Sequence, residues 1–532
     1  MRLSGVSARF STPILLPQEA SMSIMGIDLS TQSCTVEVRS EDGFAVLATA
    51  RRPLPSTRPP VSEQDVRDWW DALVACMGDL ASAGASLDGV RAVSVSGQCH
   101  GLVPLDASGR AIRPVKLWND TTGSPQMEQL LERFGPSYWI EHTGSRPTAA
   151  FTIAKLAWLA EHEPDTIARI RHILLPHDYM TYRLTGEFVT DRSEASGTGW
   201  FDSVGNDYDY GLLSDCFGDL LDFRSVLPRV GAPEDAAGVL RADVARELGL
   251  TAGIPVGVGG GDQHMSAVGL GITPGDVVVS LGTSGVVYTT WTSPVRDLSG
   301  WVNGVADAAG GWLPLVCTLN CTKVTNWMAR MLGVSVRQLD ELAAEGDMRR
   351  APVMAAYLDG ERSPSLPLAR GAVAGIGNDT GREDLALMAF AGVVHGMMRG
   401  FDALSHCGIS LDGELVLCGG GAHAATYRQL FADYTGKPAL IPDADEATAR
   451  GACVQAWNLL HDGRSLREAA KELRPAVRSA TEPIDSAPAW LEMKERYLEV
   501  AAFACAYRPS FPGENEIPDV NSQEATNDDD ER

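Results

Sequence analysis

The chain has 532 residues, of which 44% are hydrophobic and 21% charged, too long for one compact core, since single domains mostly hold roughly 100–200 residues. Its 44 Lys and Arg face 69 Asp and Glu for a formal charge of −25, which argues against a protein that lives on nucleic-acid phosphates, because that binding depends on lysine and arginine displacing counterions. The sequence holds no uninterrupted apolar run of about eighteen residues to span a bilayer, and an anionic ligand must be held locally by backbone amides, a few side chains or a metal ion.

Residues 1–23 contain Ser and Pro without periodicity and lack a secretory apolar region, so they read as a disordered extension, with Met22 and Met25 competing with Met1 as the start. Ile24–Leu29, a polar turn, Cys34–Arg39, a second turn and Phe44–Ala48 predict a three-strand meander. Asp65–Ser82 reads as a helix, and Val90–Ser96 and Val115–Trp118 read as strands. A second meander is predicted from Val277–Leu281, the turn Gly282-Thr283-Ser284-Gly285 and Val286–Thr290, with Gly311–Pro314 and Leu315–Thr318 as further strand. Helices over Thr322–Leu332, Asp384–Leu404 and Thr426–Thr435 then alternate with strands Leu415–Cys418 and Pro438–Ile441. This alternation predicts layered α/β domains, most simply one plan used twice across a cleft. From Glu514 onward eight acidic residues stand against Arg532 alone, the composition of a solvated tail. Ten cysteines without a CxxC pair or a zinc-spaced histidine cluster read as reduced thiols of a cytoplasmic protein.

Five glycine-rich or polar segments carry the chemistry. Asp28 ends the first strand, followed by Thr31 and Ser33; such a turn offers amides and hydroxyls to an anion, and a carboxylate beside them suits hydrated Mg²⁺. The same residues are also ordinary hairpin formers. The turn at Gly282, Thr283 and Ser284 has the same two readings. Gly419-Gly420-Gly421-Ala422 stands between a strand and a helix, where bare backbone admits a flat ligand or a phosphate, or simply a tight packing turn. Gly259-Gly260-Gly261-Asp262-Gln263 places a carboxylate after a glycine run, either as a proton acceptor or as a helix cap. Ser96-Gly97-Gln98-Cys99-His100-Gly101 ends a buried strand in hydrogen-bonding side chains, with His100 on its own readable as a satisfied core histidine.

Taken together, these segments over about residues 24–505 resemble the FGGY carbohydrate kinases of the actin-like ATPase superfamily. The two hairpins resemble that superfamily's phosphate motifs, and Gly419–Ala452 resembles its adenosine motif. SGQCHG at Ser96–Gly101, GGGDQ at Gly259–Gln263, and Thr143–Arg146 with Phe151-Thr152 are similar to motifs of the xylulose kinases within the family. Ser30 stands where the family's first turn usually has Gly, Thr35 lies near its usual Lys, and Ala425 falls where relatives have an Asn-like contact.

The resemblance implies two actin-like, ribonuclease H-like α/β ATPase domains facing each other across a nucleotide and sugar cleft. They would cover residues 24–264 and 265–508, with 509–532 as the acidic tail. It implies ATP and Mg²⁺, with Asp28 at the metal and Thr31, Ser33, Gly282, Thr283, Ser284, Trp327, Gly420, Gly421 and Ala422 at the nucleotide. Cys99, His100, Arg146 and Gln263 would bind a small sugar, D-xylulose first among pentuloses, and Asp262 would be both sugar contact and general base. No nucleic-acid or membrane partner is expected, and a homodimer is compatible. An ATP-driven binding protein of the same superfamily and a sugar sensor without catalysis are the alternatives; the first lacks a peptide-binding domain, and the second does not need both Asp28 and Asp262.

Overall fold

The computed structural model describes residues 22–507 except 367, 462, 485 and 486. Residues 1–21 of the expected extension and the whole of the expected tail 509–532 lie outside the described residues. Two sheets organise the rest. In spatial order the first runs Val46–Pro53, Ser33–Ser40, Ser23–Leu29, Val90–Gly97, Pro255–Gly257 and Ala236–Val239. The second runs Trp312–Thr318, Gly285–Tyr288, Val277–Leu281, Leu415–Cys418, Ala439–Pro442 and Val477–Thr481, with Asn303–Ala306 beside Trp312–Thr318.

The pairing is the same in both sheets. Three antiparallel strands are followed by two that run parallel to the opening strand of the meander and by one antiparallel edge strand. Short turns suffice between antiparallel neighbours, whereas a parallel neighbour needs a crossover. Helices Val66–Ser82 and Arg382–His406 lie in the two crossovers. Ser23–Leu29 is buried along its whole length, as a central strand covered on both faces must be.

What joins the sheets is a pair of helices, Asp262–Leu270 and Ala447–Asn458, stacked backbone against backbone. A Cβ on Gly269 would stand 1.9 Å from the Ala447 carbonyl oxygen, and one on Gly451 would stand 1.9 Å from the Met265 carbonyl oxygen. On its other side Ala447–Asn458 lies against the first sheet, where a Cβ on Gly26 would meet the Ala449 oxygen at 2.2 Å. Buried Gln455 adds hydrogen bonds across this contact: its Oε1 accepts from Ser94 Oγ at 2.6 Å and from the Gly259 amide at 2.9 Å. The expected boundary at 264/265 therefore falls inside a helix, and a helix late in the chain packs on the first sheet.

Between Asp120 and Ile254, where the sequence analysis placed no element, the chain builds a largely helical stretch with its own core around Trp139, Trp200 and Phe201, while Pro176–Thr185, Ala236–Val239 and Ala242–Leu248 join the first sheet and its core. Val115–Trp118 forms strand only over Val115–Lys116, and Gly311–Thr318 forms one strand, Trp312–Thr318.

Because the helix pair has no room for a methyl group at Gly451, overpacking there costs about 3 kcal/mol, the upper part of the usual range. Gly451→Ala is expected to lower Tm by roughly 6–12 °C in differential scanning calorimetry. An unchanged Tm would show that the two helices separate without cost.

Candidate active site

The carboxyl ends of neighbouring strands meet at one edge of each sheet. In the first sheet Asp28 is level with Ser96, and Ser96 with Gly260, so Asp28 and the glycine run before Asp262 flank the same strand end. Open α/β sheets bind ligands at such ends. Gly261 precedes helix Asp262–Leu270, so Asp262 opens that helix. Its Oδ1 accepts from the Gln263 amide at 2.6 Å and from the Cys99 thiol at 3.2 Å.

His100 follows with φ of +65°, a left-handed conformation that costs a non-glycine residue about 1–3 kcal/mol. That turn aims its amide at Glu194 Oε1, 2.5 Å away, while its Nδ1 lies 3.3 Å from the same oxygen. The imidazole stacks on Phe151 at 5.3 Å between centroids, with Gly197 against its edge. Nδ1 has no hydrogen-bonding partner, and neither does Glu194 Oε2. His100 is thus held in place by its backbone and its stacking, with a polar edge left over, unlike a satisfied core histidine.

Glu194 belongs to the five-residue helix Arg192–Ser196, capped by Asp191, which accepts from the Ser193 and Glu194 amides. Asp191 in turn lies 3.2 Å from His177 Nε2. Burial works against a charged His177, but Asp178 and Asp191 outweigh it and raise its pKa to about 9. Burial likewise opposes the Glu194 carboxylate, and the His100 hydrogen bond and charge hold its pKa below the usual value.

The structure thus brings together Cys99, His100, Asp262 and Gln263. Arg146 stands apart from them, its stem against Gly300 of the second half, and it makes no ion pair among the described residues. Glu194, Asp191 and His177 were missed by sequence reasoning. They are single polar residues in the insertion, and no motif marks them.

At the first hairpin, the Thr31 hydroxyl donates to Gln98 Oε1 at 3.0 Å and accepts from Trp118 Nε1 at 2.9 Å. Ser33 Oγ lies 3.2 Å from Ser30 Oγ and accepts from Arg51 Nε at 3.0 Å. In the second hairpin Gly282 to Ser284 form the turn, with Thr283 exposed. The Gly282 carbonyl accepts from the Thr322 amide and hydroxyl, tying the turn to helix Thr322–Leu332. Trp327 lies on that helix, half-buried against the second core.

Gly419, with φ of +82°, and Gly421 close against Leu281 at the same strand end, while a Cβ on Gly420 would meet only open space. Exposed backbone beside the second hairpin suits a flat heterocycle, with buried Ala422 behind it. The following helix offers no anion site at its first two amides, because Ala425 N and Thr426 N both donate to Asp340 at 2.9 Å.

Asp28 is buried, and its Oδ1 has no partner. Burial, then the charges of Asp262 and Glu446, push its pKa well above the usual carboxylate value, with Arg51 opposing them. Burial also raises Asp262, with the Cys99 hydrogen bond working the other way. An unpartnered buried oxygen among like charges fits a hydrated divalent cation, which prefers oxygen ligands.

Two duplicated α/β sheets with glycine turns at both strand ends and an aspartate between them define a phosphotransferase-type clamp. Residues 23–269 match the N-terminal domain of the FGGY family of carbohydrate kinases, and residues 277–458 match its C-terminal domain. The chain belongs to this family, and it is a sugar kinase. It is 40% identical to the xylulose kinase of Streptomyces rubiginosus over 438 residues, 82% of this chain and 88% of that one. With the xylulose kinase of Escherichia coli K12 it shares 35% over 419 residues, 78% and 85% of the two chains. The solved xylulose kinase of Bifidobacterium adolescentis aligns at TM-score 0.79 and 31% identity over 90% of this chain and 99% of that one. A gluconate kinase from Lactobacillus acidophilus aligns at TM-score 0.84 with 20% identity over 91% and 99%, a likeness of fold alone. Among the described residues no helix is long and apolar enough to cross a membrane.

A carboxylate whose pKa is raised by folding binds more protons in the folded state than in the unfolded one. Its favourable contribution is therefore lost as pH rises through the folded value. Asp28→Asn removes that buried charge, so at pH 7 its Tm should exceed that of the unmodified protein by about 2–4 °C, the shift produced by roughly 1 kcal/mol. The gain should shrink as pH falls through the ordinary carboxylate range and vanish near pH 2, where Asp28 is protonated in both states. Equal Tm at both pH values would show that Asp28 is not strained by burial.

Proposed function

We propose that the protein transfers the γ-phosphoryl group of ATP to the terminal hydroxyl of D-xylulose, giving D-xylulose 5-phosphate and ADP. The observation that carries this reading is the position of Asp262, hydrogen-bonded to Cys99 on the side of His100 and facing the charge of Asp28 on the other. The identity of the sugar leans on relatives named xylulose kinase, of which that of Streptomyces rubiginosus is 40% identical.

In this reading the sugar lies against Cys99, His100 and Gln263, with Arg146 at the rim. Asp262 Oδ1 orients the terminal hydroxyl in place of the Cys99 thiol and takes its proton. The hydroxyl oxygen forms its bond to the γ-phosphorus as the bond to the bridging oxygen breaks, leaving ADP. The raised pKa of Asp262 brings the base closer to neutrality, where acceptance of a proton in the transition state is more effective. Glu194 positions His100 through the hydrogen bond it accepts from the His100 amide, with the ring Nδ1 3.3 Å from the same oxygen. Thr31, Ser33 and the turn Gly282–Ser284 hold phosphate oxygens, and Gly420, Gly421, Ala422 and Trp327 hold adenosine. Asp28 would hold Mg²⁺, whose charge would neutralise phosphate oxygens. Closure of the two sheets over the ligands excludes water and limits hydrolysis.

A coupled ADP assay tests the reaction: ADP release should require a pentulose, with D-xylulose giving the highest kcat/KM in a panel that includes ribulose and polyols. Release indifferent to sugar would instead identify an ATP-driven binding protein. Asp262→Asn should retain sugar binding while kcat falls about 10²–10⁴-fold. With Asp262 intact, kcat should decline as pH drops through its raised pKa, above the ordinary carboxylate range. Retained turnover in the Asn variant rules Asp262 out as the base.

His100→Ala should raise the KM for D-xylulose roughly ten- to a hundred-fold, because buried sugar hydroxyls lose a partner at about 1–3 kcal/mol. The KM for ATP should move less. A lower Tm with unchanged sugar KM would make His100 structural.

A further inference from the structure

Neither phosphate turn contains a cation: residues 28–33 and 280–285 carry only Asp, Ser, Thr, Gln, Gly and Leu. A nucleotide tail of several negative charges would enter a cleft that already holds the carboxylates of Asp28, Asp262 and Glu446. One arginine reaches the first turn from the neighbouring strand. Arg51 stands opposite Thr35 in the pairing of Ser33–Ser40 with Val46–Pro53, and its Nε donates to Ser33 Oγ at 3.0 Å. Its far end, NH1, donates to Glu446 Oε1 at 3.1 Å. Glu446 is the residue before helix Ala447–Asn458, so the pair joins the first sheet to the helix that follows the adenosine segment.

We propose that Arg51 is the phosphate-binding cation of the first turn and that Glu446 holds it in readiness, giving it up to the nucleotide's phosphates. This rests on the kinase reading and adds a residue to it. The Arg51 side chain is 56% exposed and that of Glu446 31%, and exposed ion pairs contribute little, so a doubly charged phosphate oxygen cluster displaces such a partner readily. Arg51 has the planar fork that engages two phosphate oxygens at once, and its Nε bond to Ser33 fixes the fork at the turn where the phosphates would lie. Lys323, beside the second turn, is already paired with Asp359 at 2.9 Å.

Equilibrium binding of ATP, ADP and adenosine to the full chain tests this without relying on the sugar. Arg51→Gln should weaken ATP and ADP binding roughly ten- to a hundred-fold and leave adenosine unchanged, with Arg51→Lys in between. In turnover the KM for ATP should rise while the KM for sugar stays put, and Tm should shift little. Glu446→Gln should tighten ATP binding or leave it unchanged. The proposal is overturned if Arg51→Gln binds ATP as well as the unmodified protein does, or if adenosine binding weakens equally. If the chain proves inactive on pentuloses, the three-nucleotide comparison still decides the role of Arg51 by itself.

Discussion

Everything in the cleft depends on two helices that touch at their backbones. Asp262–Leu270 begins with the proposed base, and Ala447–Asn458 begins just after Glu446. Glycines at 269 and 451 let the helices approach until a single added methyl would collide with a carbonyl oxygen. Gly26 lets the second helix lie equally close to strand Ser23–Leu29, which ends near Asp28. The distances among Asp28, Asp262 and Glu446 are therefore set by backbone contacts, which yield far less than side chains do.

That rigidity makes the electrostatic arrangement possible. Carboxylates brought together under burial repel one another, and a loose scaffold would relieve the repulsion by moving apart. Here Asp28, buried and facing the charges of Asp262 and Glu446, and Asp262, buried and facing that of Glu194, both hold protons more tightly. The cost falls on stability and the benefit on function, since a site short of positive charge is primed for a cation and for a substrate proton. The sugar side shows the same logic in a different form. His100 is held in an unfavourable backbone conformation because Glu194, buried and capped through Asp191, offers the acceptor that this conformation reaches.

Much of this was legible in the sequence, and the reason is local. The meander strands announce themselves by alternation and by turn residues. The glycine turns stand out because only glycine tolerates the conformation at Gly419 or the close approach at Gly421. Asp28, Asp262 and the segment Cys99-His100 directly follow strands, so placing the strand placed the side chain. The residues that were missed reach the site from elsewhere in the fold. Glu194 arrives on a five-residue helix within an insertion whose core forms only when Trp139, Trp200 and Phe201 come together. Arg51 reads as one more charged residue on an edge strand until the register with Thr35 brings it over Ser33.

The same distinction explains why the sugar is harder to read than the reaction. Phosphoryl transfer asks mainly for backbone amides and a carboxylate at a strand end, and the duplicated fold supplies both through local sequence. Selecting one ketose over another depends on hydroxyl orientation, and the groups proposed to sense it are set by long-range packing: the edge of His100, stacked on Phe151 beside Glu194, and the Arg146 stem against Gly300 of the other half. Arg146 packs its stem against Gly300 of the second half, whereas Cys99, His100 and Asp262 lie at the strand ends of the first. In the proposed reading, sugar specificity would be shared between His100, stacked on Phe151 in the first half, and Arg146, packed against the second half. A sugar with the wrong hydroxyl orientation would then meet one of these proposed contacts and miss the other, and discrimination would come from the pair rather than from either residue alone.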